Sequence, residues 1–248
     1  MDKEENKEKR PGACEKGQCL KVIARIHNDF PTKFGIPHQS GRIPELKARI
    51  VFEPPYRNRD AFRGLEEYSH IWLIWGFSQA VREEWSPMVR PPRLGGNIRK
   101  GVFATRSPFR PNAIGLSSVK LENIEFHPTL GPILHVQGAD LMDQTPIYDI
   151  KPYLLSDAHP DALGGFTEGI KDHELQVVFP RELLEQIPPE KRESLLKVLA
   201  NDPRPGYQKD PGRKYGLAFG DKDIHFQVEG DTLQVCEVTE FQKQEKNS

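Results

Sequence analysis

Short segments in which apolar and polar side chains alternate recur along the first part of the chain, separated by stretches rich in proline and glycine. The clearest runs from Leu20 to His27, where every second residue is apolar. A period of two is typical of a β-strand with one buried face. Further strands are predicted at residues 48–52, 70–77, 114–126 and 132–139, of which 70–77 is a continuous apolar run of the fully buried kind. Without strand-helix alternation, these segments favour a mainly antiparallel barrel or curled sheet over a doubly wound parallel fold.

Composition divides the 248 residues into two folded domains with polar ends. Residues 1–18 predict a disordered lead-in and residues 243–248 a frayed tail. We expect a β-barrel domain over 19–155, with one helix from Asn58 to Tyr68, and a small C-terminal α+β domain over 156–242. The elements predicted in the second domain are a strand at 174–179, a helical region at 181–200 broken at Pro188 and Pro189, and a hairpin of strands 224–228 and 232–238.

Positive charge is concentrated in one stretch of a chain whose formal net charge is only -1. Between Trp85 and Leu121 there is no Asp or Glu, and the cations are Arg90, Arg93, Arg99, Lys100, Arg106, Arg110 and Lys120. Guanidinium groups between prolines and glycines suit phosphate recognition, because arginine donates in a planar fork. A solvated basic loop, or arginines paired with distant acids, is the alternative. A phosphorylated metabolite would fit the stretch as well as RNA would.

Several common classes of protein are disfavoured by what the sequence lacks. Neither a Gly-x-Gly-x-x-Gly nor a Walker pattern occurs, so a dinucleotide-binding sheet is not expected. The apolar run from Ile71 to Phe77 is too short to span a bilayer, and the charged first ten residues do not resemble a secretory signal. The three cysteines, Cys14, Cys19 and Cys236, lack zinc-site spacing, and no histidine pair has metal-ligand spacing. We therefore expect a cytoplasmic protein without a metal or a membrane partner.

Three carboxylates cluster near Thr145-Pro146, in a connection that follows a predicted strand. They are Asp140, Asp143 and Asp149. Functional side chains are often displayed on such loops, so one of the three could act as a base. The alternative is a set of aspartates that only stabilise a turn. His70 and His135, which adjoin or lie in predicted strands, are interpreted as core or edge histidines.

Five blocks of sequence together resemble one known family. They are KFGIPHQSGR at Lys33–Arg42, FRGLEEYSHIW at Phe62–Trp72, PPRLGGNIRKGVFATRSPFRPNAIG at Pro91–Gly115, DLMDQTPIYDIKPY at Asp140–Tyr153 and DPRPGY at Asp202–Tyr207. This pattern is similar to that of the TrmO family, also called the TsaA-like or YaeB family. The resemblance extends from Leu20 to about residue 240.

The resemblance implies a methyltransferase that uses S-adenosyl-L-methionine (SAM) and has a catalytic β-barrel. The implied reaction methylates the exocyclic N6 of threonylcarbamoyladenosine beside the anticodon of tRNA, and the implied assembly is a homodimer. The missing nucleotide-binding glycines agree with a barrel-type SAM site. The rivals are a non-catalytic module that binds SAM or RNA, and an enzyme that acts on a phosphorylated small molecule.

The resemblance also implies particular site residues. Those expected around SAM are Pro37, His38, Gln39, Ser78, Gln79, Arg106, Leu116, Asp143, Gln144, Thr145 and Pro146. Gln144 departs from the pattern, because glycine is expected in this Asp-Gly-Thr-Pro position. Asp149, or a water held by Asp149 or Tyr148, would remove a proton from the weakly nucleophilic acceptor nitrogen. The residues expected to contact RNA are Arg93, Arg99, Arg110, Arg204 and Tyr207, although Arg204 and Tyr207 could instead belong to a proline-stiffened turn.

Overall fold

A computed structural model describes residues 19–78, 84–91, 94, 97–168, 174–204 and 212–242. In chain order, the strands of the first domain are β1 (Ala24–His27), β2 (Lys47–Phe52), β3 (His70–Gly76), β4 (Met88–Val89), β5 (Lys100–Gly101), β6 (Ile114–His127), β7 (Gly131–Gln137) and β8 (Pro146–Pro152). Six of them close a barrel in the order β1-β2-β7-β6-β3-β8, and every neighbouring pair is antiparallel. Strands β4 and β5 pair separately as a short ribbon. The predicted mainly antiparallel barrel is therefore confirmed.

The barrel interior is filled by the inward side chains of the alternating strands. Ile26, Ile50 and Val136 are fully buried there. Strand β3 alternates as well: Leu73 is buried, whereas Trp72 is only partly buried. The strand at 70–77 is thus confirmed, but the prediction that it is buried on both faces is wrong. Its outward residues are large and apolar because the outer wall of the barrel is itself partly covered.

The segment from Asn58 to Tyr68 is not the predicted α-helix. It forms two separate 3₁₀ turns, Arg59–Phe62 and Leu65–Glu67. Gly64 separates them with a φ of 85°, a left-handed conformation that ends a helix and favours glycine. Phe62 is buried and packs edge-to-face on the Phe52 ring, with the ring centroids 4.7 Å apart. Of the apolar residues that predicted a helix, Phe62 is buried in the barrel core and Leu65 packs against that core, whereas Ala61 is exposed.

Strand β8 was not predicted, because proline begins it and polar residues interrupt its apolar pattern. It closes the barrel between β1 and β3, with Ile147 fully buried. Asp149 therefore lies on a strand, opposite Ile74, rather than on the predicted loop. Tyr148 occupies an irregularity in the β3–β8 register, where one extra residue is inserted.

The second domain combines a sheet with two helices, as predicted. Its elements are β9 (Gln176–Val178), α1 (Arg181–Leu184), α2 (Pro189–Ala200), β10 (Tyr215–Phe219), β11 (Lys222–Glu229) and β12 (Thr232–Glu240). The sheet order is β10-β11-β12-β9, with β9 parallel to β12. The helix break at Pro188-Pro189 and the β11–β12 hairpin are confirmed, whereas β10 was missed. In the described ranges, no helix has the length and apolar character needed to cross a bilayer.

The connection between β1 and β2, residues 28–46, is called the strap below. The sequence assigns it to the barrel domain, yet its apolar side chains are buried in the core of the second domain. Phe30, Ile43 and Leu46 belong to that core, together with residues of α2 and β10. The Phe30 and Phe219 rings meet edge-to-face with centroids 5.6 Å apart. The strap therefore joins the two domains through a shared core.

Candidate SAM and RNA site

The strap is fixed at several points by the second domain. Near its start, the Gly220 backbone N–H donates to the Asp29 carbonyl oxygen at 2.8 Å, and Lys191 Nζ donates to Asp29 Oδ1 at 2.6 Å. Near its end, Glu45 forms an ion pair with Lys197. Gly35 has a φ of +83°, and a Cβ there would lie 2.2 Å from Leu217 Cδ1. These contacts fix the path of the chain immediately before and after the Pro37–Gln39 turn.

The buried side of this turn reaches the carboxylate of Asp140. Pro37 is buried, whereas His38 and Gln39 are exposed. The backbone N–H of the next residue, Ser40, lies close enough to Asp140 to lower the pKa of its carboxyl. At the neighbouring position, the Gly41 N–H donates to the Gly138 carbonyl oxygen at 2.8 Å. The strap and the connection that follows β7 are thus joined where the sequence predicts SAM contacts.

A chain of hydrogen bonds from the barrel ends at the same carboxylate. Trp75 Nε1 donates to Ser117 Oγ at 3.0 Å, and Ser117 Oγ donates to Asp140 Oδ1 at 2.6 Å. Gly115 leaves space for the indole, because a Cβ there would lie 2.2 Å from Trp75 Cε2. We call Trp75, Ser117, Asp140 and the Ser40 N–H the Asp140 centre. It connects β3, β6, the strap and the β7–β8 connection.

Burial raises the pKa of Asp140 above its usual range. The Ser117 and Ser40 hydrogen bonds and the positive charge of Arg106 act in the opposite direction. Arg106 therefore lies close enough to this carboxylate to interact with it, while its side chain remains exposed. The structure thus brings two predicted SAM elements, Arg106 and the 37–39 turn, to one carboxylate that the sequence analysis had singled out only as a turn or base candidate.

The other predicted SAM loop, residues 143–146, is fixed against β1. Asp143 Oδ1 accepts the Asn28 N–H at 3.1 Å, and the Gln144 N–H donates to the Ile26 carbonyl oxygen at 2.8 Å. Thr145 is buried, and its hydroxyl donates within the loop to the Met142 carbonyl oxygen at 2.7 Å. The Thr145 hydroxyl therefore already donates its hydrogen bond within the protein.

Gln144 adopts a φ of 65°, in the left-handed region that favours glycine. This explains physically why glycine is expected at this position. The side-chain amide nitrogen of Gln144 lies 3.0 Å from His27 Nδ1, and the backbone carbonyl oxygen of Gln144 accepts from Arg25 Nη1 at 3.1 Å. Gln144 therefore adopts a left-handed conformation that is unfavourable for a residue with a side chain, and it is held there by contacts with Arg25 and His27 of β1.

The two predicted catalytic residues lie on the wall of the barrel next to Leu116. Leu116 and Asp149 are both cross-strand partners of Ile74, so the three side chains share the outer face. Leu116 is 51% exposed. Asp149 Oδ2 pairs with Lys151 Nζ at 2.9 Å, while Oδ1 accepts the Ile150 N–H at 2.9 Å.

The Tyr148 hydroxyl lies at the end of β3. A Cβ on Gly76 would be 2.2 Å from Tyr148 Oη, so only glycine leaves room for the phenol there. Ser78, which is exposed, follows two residues later. The Tyr148 hydroxyl thus lies at the end of the barrel where Ser78 and Gly115 lie, and Asp149 lies across Ile74 from Leu116.

The predicted RNA-contacting arginines differ in their surroundings. Arg99 is exposed. Arg110 Nη1 donates to the Thr105 carbonyl oxygen at 2.9 Å. The Arg204 side chain is only 11% exposed and forms two 2.8 Å hydrogen bonds with Asp202. This pairing favours the proline-stiffened turn, and the RNA contact of Arg204 stays a prediction.

Some of the predicted positions cannot be placed. Gln79, Arg93 and Tyr207 lie outside the described residues, as do Gly95 and Gly96. In the part of the chain that the structure describes, no group of three or more His, Cys, Asp or Glu side chains could hold a metal ion.

Sequence reasoning missed the partners of Asp140. Ser117 occupies an inward position of β6 between apolar residues, and it is buried. A hydroxyl at such a position needs a hydrogen-bond partner, because an unpaired buried polar group is costly. A polar residue at an inward position of an alternating strand was therefore the signal that could have predicted a buried hydrogen bond from Ser117. The strap had no comparable signal, because its apolar residues do not show which core they enter.

A groove of about 460 Å³ borders the 143–146 loop on the outer side of β1, β2 and β7. The residues lining it include His27, Lys47, Arg49, Glu122, His135 and Asp143. His135 Nε2 lies 2.7 Å from Glu125 Oε2, so this partly buried imidazole of β7 has a carboxylate partner. The groove is polar and wide, and Asp143 contributes to it from the loop predicted to contact SAM.

Comparison with protein families gives two matches, one for each domain. The model of the tRNA-methyltransferase O N-terminal domain matches residues 25–157. The model of the TrmO C-terminal domain matches residues 172–241. The first match alone covers more than half of the chain.

Individual relatives agree with the family matches. A tRNA (adenine(37)-N6)-methyltransferase of Escherichia coli is 40% identical over 215 residues, which are 83% of this chain and 91% of the relative. A protein of the same name from Eikenella corrodens is 47% identical over 164 residues, 65% of this chain and 92% of the relative. A protein described as a putative S-adenosylmethionine-dependent methyltransferase RcsF, from Pseudomonas aeruginosa, is 39% identical over 87% of this chain and 95% of its own length.

Solved structures show the same similarity. A crystal structure of TrmO from Pseudomonas aeruginosa superposes with a TM-score of 0.72 at 33% identity, covering 90% of this chain and all of the other. The mainly β architecture, with a closed barrel and a C-terminal sheet domain, matches the solved TrmO structures. From these matches in both domains, the chain belongs to the TrmO family of tRNA methyltransferases.

Proposed function

We propose that this protein transfers a methyl group from SAM to the exocyclic N6 of threonylcarbamoyladenosine beside the anticodon of tRNA. The names of its relatives support SAM-dependent methylation of a tRNA adenine at N6. The threonylcarbamoyl group comes from the family resemblance alone. The observation that carries the proposal is that the strap is hydrogen-bonded to the β7–β8 connection beside Asp140, through Gly41 and Gly138, where the charge of Arg106 also acts on that carboxylate.

The residues at this end of the barrel fit SAM chemically. Arg106 is exposed beside a carboxylate, so it can receive the carboxylate of an amino-acid group. Leu116 offers an exposed apolar surface, and the 37–39 turn exposes His38 and Gln39. When bound, SAM supplies an electrophilic methyl group on a sulfonium. The main task of the protein is then to align the acceptor nitrogen with that methyl group.

Asp149 is the proposed proton acceptor. The lone pair of the target nitrogen is delocalised into the purine and the carbamoyl group, so proton removal assists attack. Asp149 shares the outer face with Leu116 and keeps Lys151 as a counter-ion. Tyr148 Oη, next to Gly76, can position a water between this carboxylate and the substrate.

The RNA side of the site is assigned to the arginine segment, defined as residues 85–113. The anticodon loop already exposes unstacked bases, which lowers the cost of bringing one into a pocket. Arg99 and Arg110 are proposed to contact phosphates, and Arg93, although not described structurally, belongs to the same group.

We also propose that the protein is a cytoplasmic homodimer. Ile114 and Leu116 are exposed on the outer wall of the barrel, which favours coverage by another surface. Light scattering on the purified protein should give twice the mass of the chain, and a monomer at micromolar concentration would contradict the dimer.

Methyl transfer can be tested with SAM labelled in the methyl group. Two substrates are compared, a tRNA carrying threonylcarbamoyladenosine and the same tRNA without the modification. We expect label on N6 of the modified adenosine only, located by mass spectrometry of the nucleosides. Equal labelling of both substrates would overturn the threonylcarbamoyl requirement. Binding of SAM and tRNA without any labelling would show the non-catalytic module instead.

A further inference from the structure

Two aromatic rings in the arginine segment are exposed next to each other. Trp85 is 49% exposed and Phe103 is 71% exposed. Their ring centroids lie 6.1 Å apart with an angle of 23° between the planes, so the rings are nearly parallel. Large aromatic side chains usually bury most of their surface in a core or an interface. Such an exposed pair therefore indicates a surface that another molecule covers.

The fold holds both rings at the surface. Phe103 lies in the 3₁₀ turn Val102–Ala104, whose first residue is fully buried. The Val102 N–H donates to the Pro87 carbonyl oxygen at 3.0 Å. On the other side, the Ser86 N–H donates to the Phe109 carbonyl oxygen at 3.0 Å. Hydrogen bonds thus fix the backbone next to each ring, and the rings do not need to be ordered by the ligand.

Every charged residue of the arginine segment is a cation, although the exposed Glu84 directly precedes Trp85. The Arg110 guanidinium lies 5.9 Å from the centroid of the Phe103 ring. Arg110 also donates to the Thr105 carbonyl oxygen at 2.9 Å, which holds it beside that ring. Arg90 and Arg99 are exposed in the same segment. Exposed aromatic rings among cations are the combination that binds unpaired nucleotides, because the rings stack on bases while the cations contact phosphates.

We propose that Trp85 and Phe103 form a stacking platform for an unpaired base of the tRNA anticodon loop, separate from the adenine that is methylated. This inference rests on the proposed function and adds the contact that would hold the loop. Arg110 lies beside the stacked base and Arg99 provides a phosphate contact. A second copy of the chain is the other possible occupant, but an interface between identical cationic segments would bring like charges together.

The test uses an unmodified anticodon stem-loop, so that binding is measured without methyl transfer. Phe103→Ala and Phe103→Leu should each raise the Kd for the stem-loop at least about fivefold, because a stacked base loses its ring. Phe103→Tyr should bind as the wild type does. Phe126→Ala is the matched control, since Phe126 is an exposed aromatic residue on the barrel strand β6. SAM affinity should stay unchanged in all of these variants.

Fluorescence provides a direct readout of stacking. Addition of the stem-loop should quench Trp85, and Trp85→Phe should remove that quenching while largely keeping affinity. A duplex RNA of equal length should quench little, because its bases are paired. Wild-type stem-loop affinity in Phe103→Ala, or quenching that persists in Trp85→Phe, would overturn the platform. A loss of dimer mass in Trp85→Ala would also overturn it, by showing that the rings form a subunit interface.

The platform and the proposed function can fail separately. Ring-dependent stem-loop binding without methyl transfer to tRNA would refute the methylation and leave the platform intact. Methyl transfer with an unchanged KM for tRNA in Phe103→Ala would refute the platform and leave the methylation intact.

Discussion

The Asp140 centre and the arginine segment are built in different ways. At the Asp140 centre, a chain of hydrogen bonds runs from Trp75 through Ser117 to one buried carboxylate. In the arginine segment, Arg99 is exposed, and the Trp85 and Phe103 rings are exposed as well. A fixed polar centre suits a small cofactor that needs one geometry. An exposed cationic surface suits an RNA backbone, for which charge matters more than exact placement. Arg106, which belongs to the segment and interacts with Asp140, links the two.

The largest expected effect comes from Gly115→Ala. A Cβ at this position would lie 2.2 Å from the Trp75 indole, so the ring must move and release Ser117. We expect the free energy of unfolding to fall by about 3 kcal/mol, measured by urea denaturation. The matched control is Gly101→Ala in the arginine segment, where nothing lies within 4 Å of the added Cβ. An equal loss of stability in Gly115→Ala and Gly101→Ala would contradict the difference in construction between the Asp140 centre and the arginine segment.

Asp149→Asn should reduce turnover by about 100-fold without changing SAM affinity, because it removes the proposed base and keeps its shape. Single-turnover rates and calorimetry would measure the two quantities. Lys151→Met is the control, because it removes the counter-ion at 2.9 Å and keeps the carboxylate. Equal losses of turnover and SAM affinity in Asp149→Asn would count against the base and indicate a positional role.

Asp140→Ala should lower the free energy of unfolding by about 1 to 3 kcal/mol, because the buried Ser117 hydroxyl loses its acceptor. It should also weaken SAM binding, since the Ser40 N–H loses its partner and the 37–39 turn loosens. The control is Asp60→Ala, which breaks only an exposed pair with Arg63. A wild-type SAM affinity in Asp140→Ala would show that the Asp140 centre does not contribute to SAM binding.

The stability of the protein should also depend on pH through Asp140. Burial raises the pKa of this carboxyl in the folded state, so the folded state binds the proton more tightly than the unfolded state does. The stability that this proton contributes is complete below the unfolded pKa and is lost as the pH rises through the folded pKa. The wild type should therefore gain stability relative to Asp140→Asn as the pH is lowered from 7 toward 4. A constant difference between the two proteins over this range would contradict the shift.

The smallest effect is expected for Arg99→Gln, in the arginine segment. Loss of one phosphate contact should weaken tRNA binding a few-fold at low salt and reduce the slope of log K against log salt by about 0.7 to 1. Stability and SAM affinity should not change, because the side chain is exposed. Lys21→Gln is a suitable control, being a similar loss of charge outside the segment. An unchanged salt slope in Arg99→Gln would exclude this residue from the RNA contact.

Most of the barrel could be predicted because its strands alternate with a period of two. Strand β8 could not be predicted, because Pro146, Asp149 and Lys151 interrupt its alternation of apolar and polar residues. Only its pairing with β1 and β3 identifies it as a strand. The family resemblance marked the 37–39 turn, but not the burial of Phe30 in the core of the other domain. The pairing of Arg204 could not be predicted, because a sequence does not show that a guanidinium folds back onto Asp202 two residues away. The missing information is in each case tertiary contact.

The most direct test of where SAM binds is a calorimetric titration of SAM into Arg106→Gln and Arg99→Gln. Both variants lose one exposed arginine of the same segment, but only Arg106 interacts with Asp140. If Arg106 receives the carboxylate of SAM beside the Asp140 centre, its loss should weaken binding about tenfold or more, as expected for a hydrogen bond between charged groups. Arg99→Gln should bind SAM as the wild type does. An unchanged SAM affinity in Arg106→Gln would contradict placement of the cofactor at this centre.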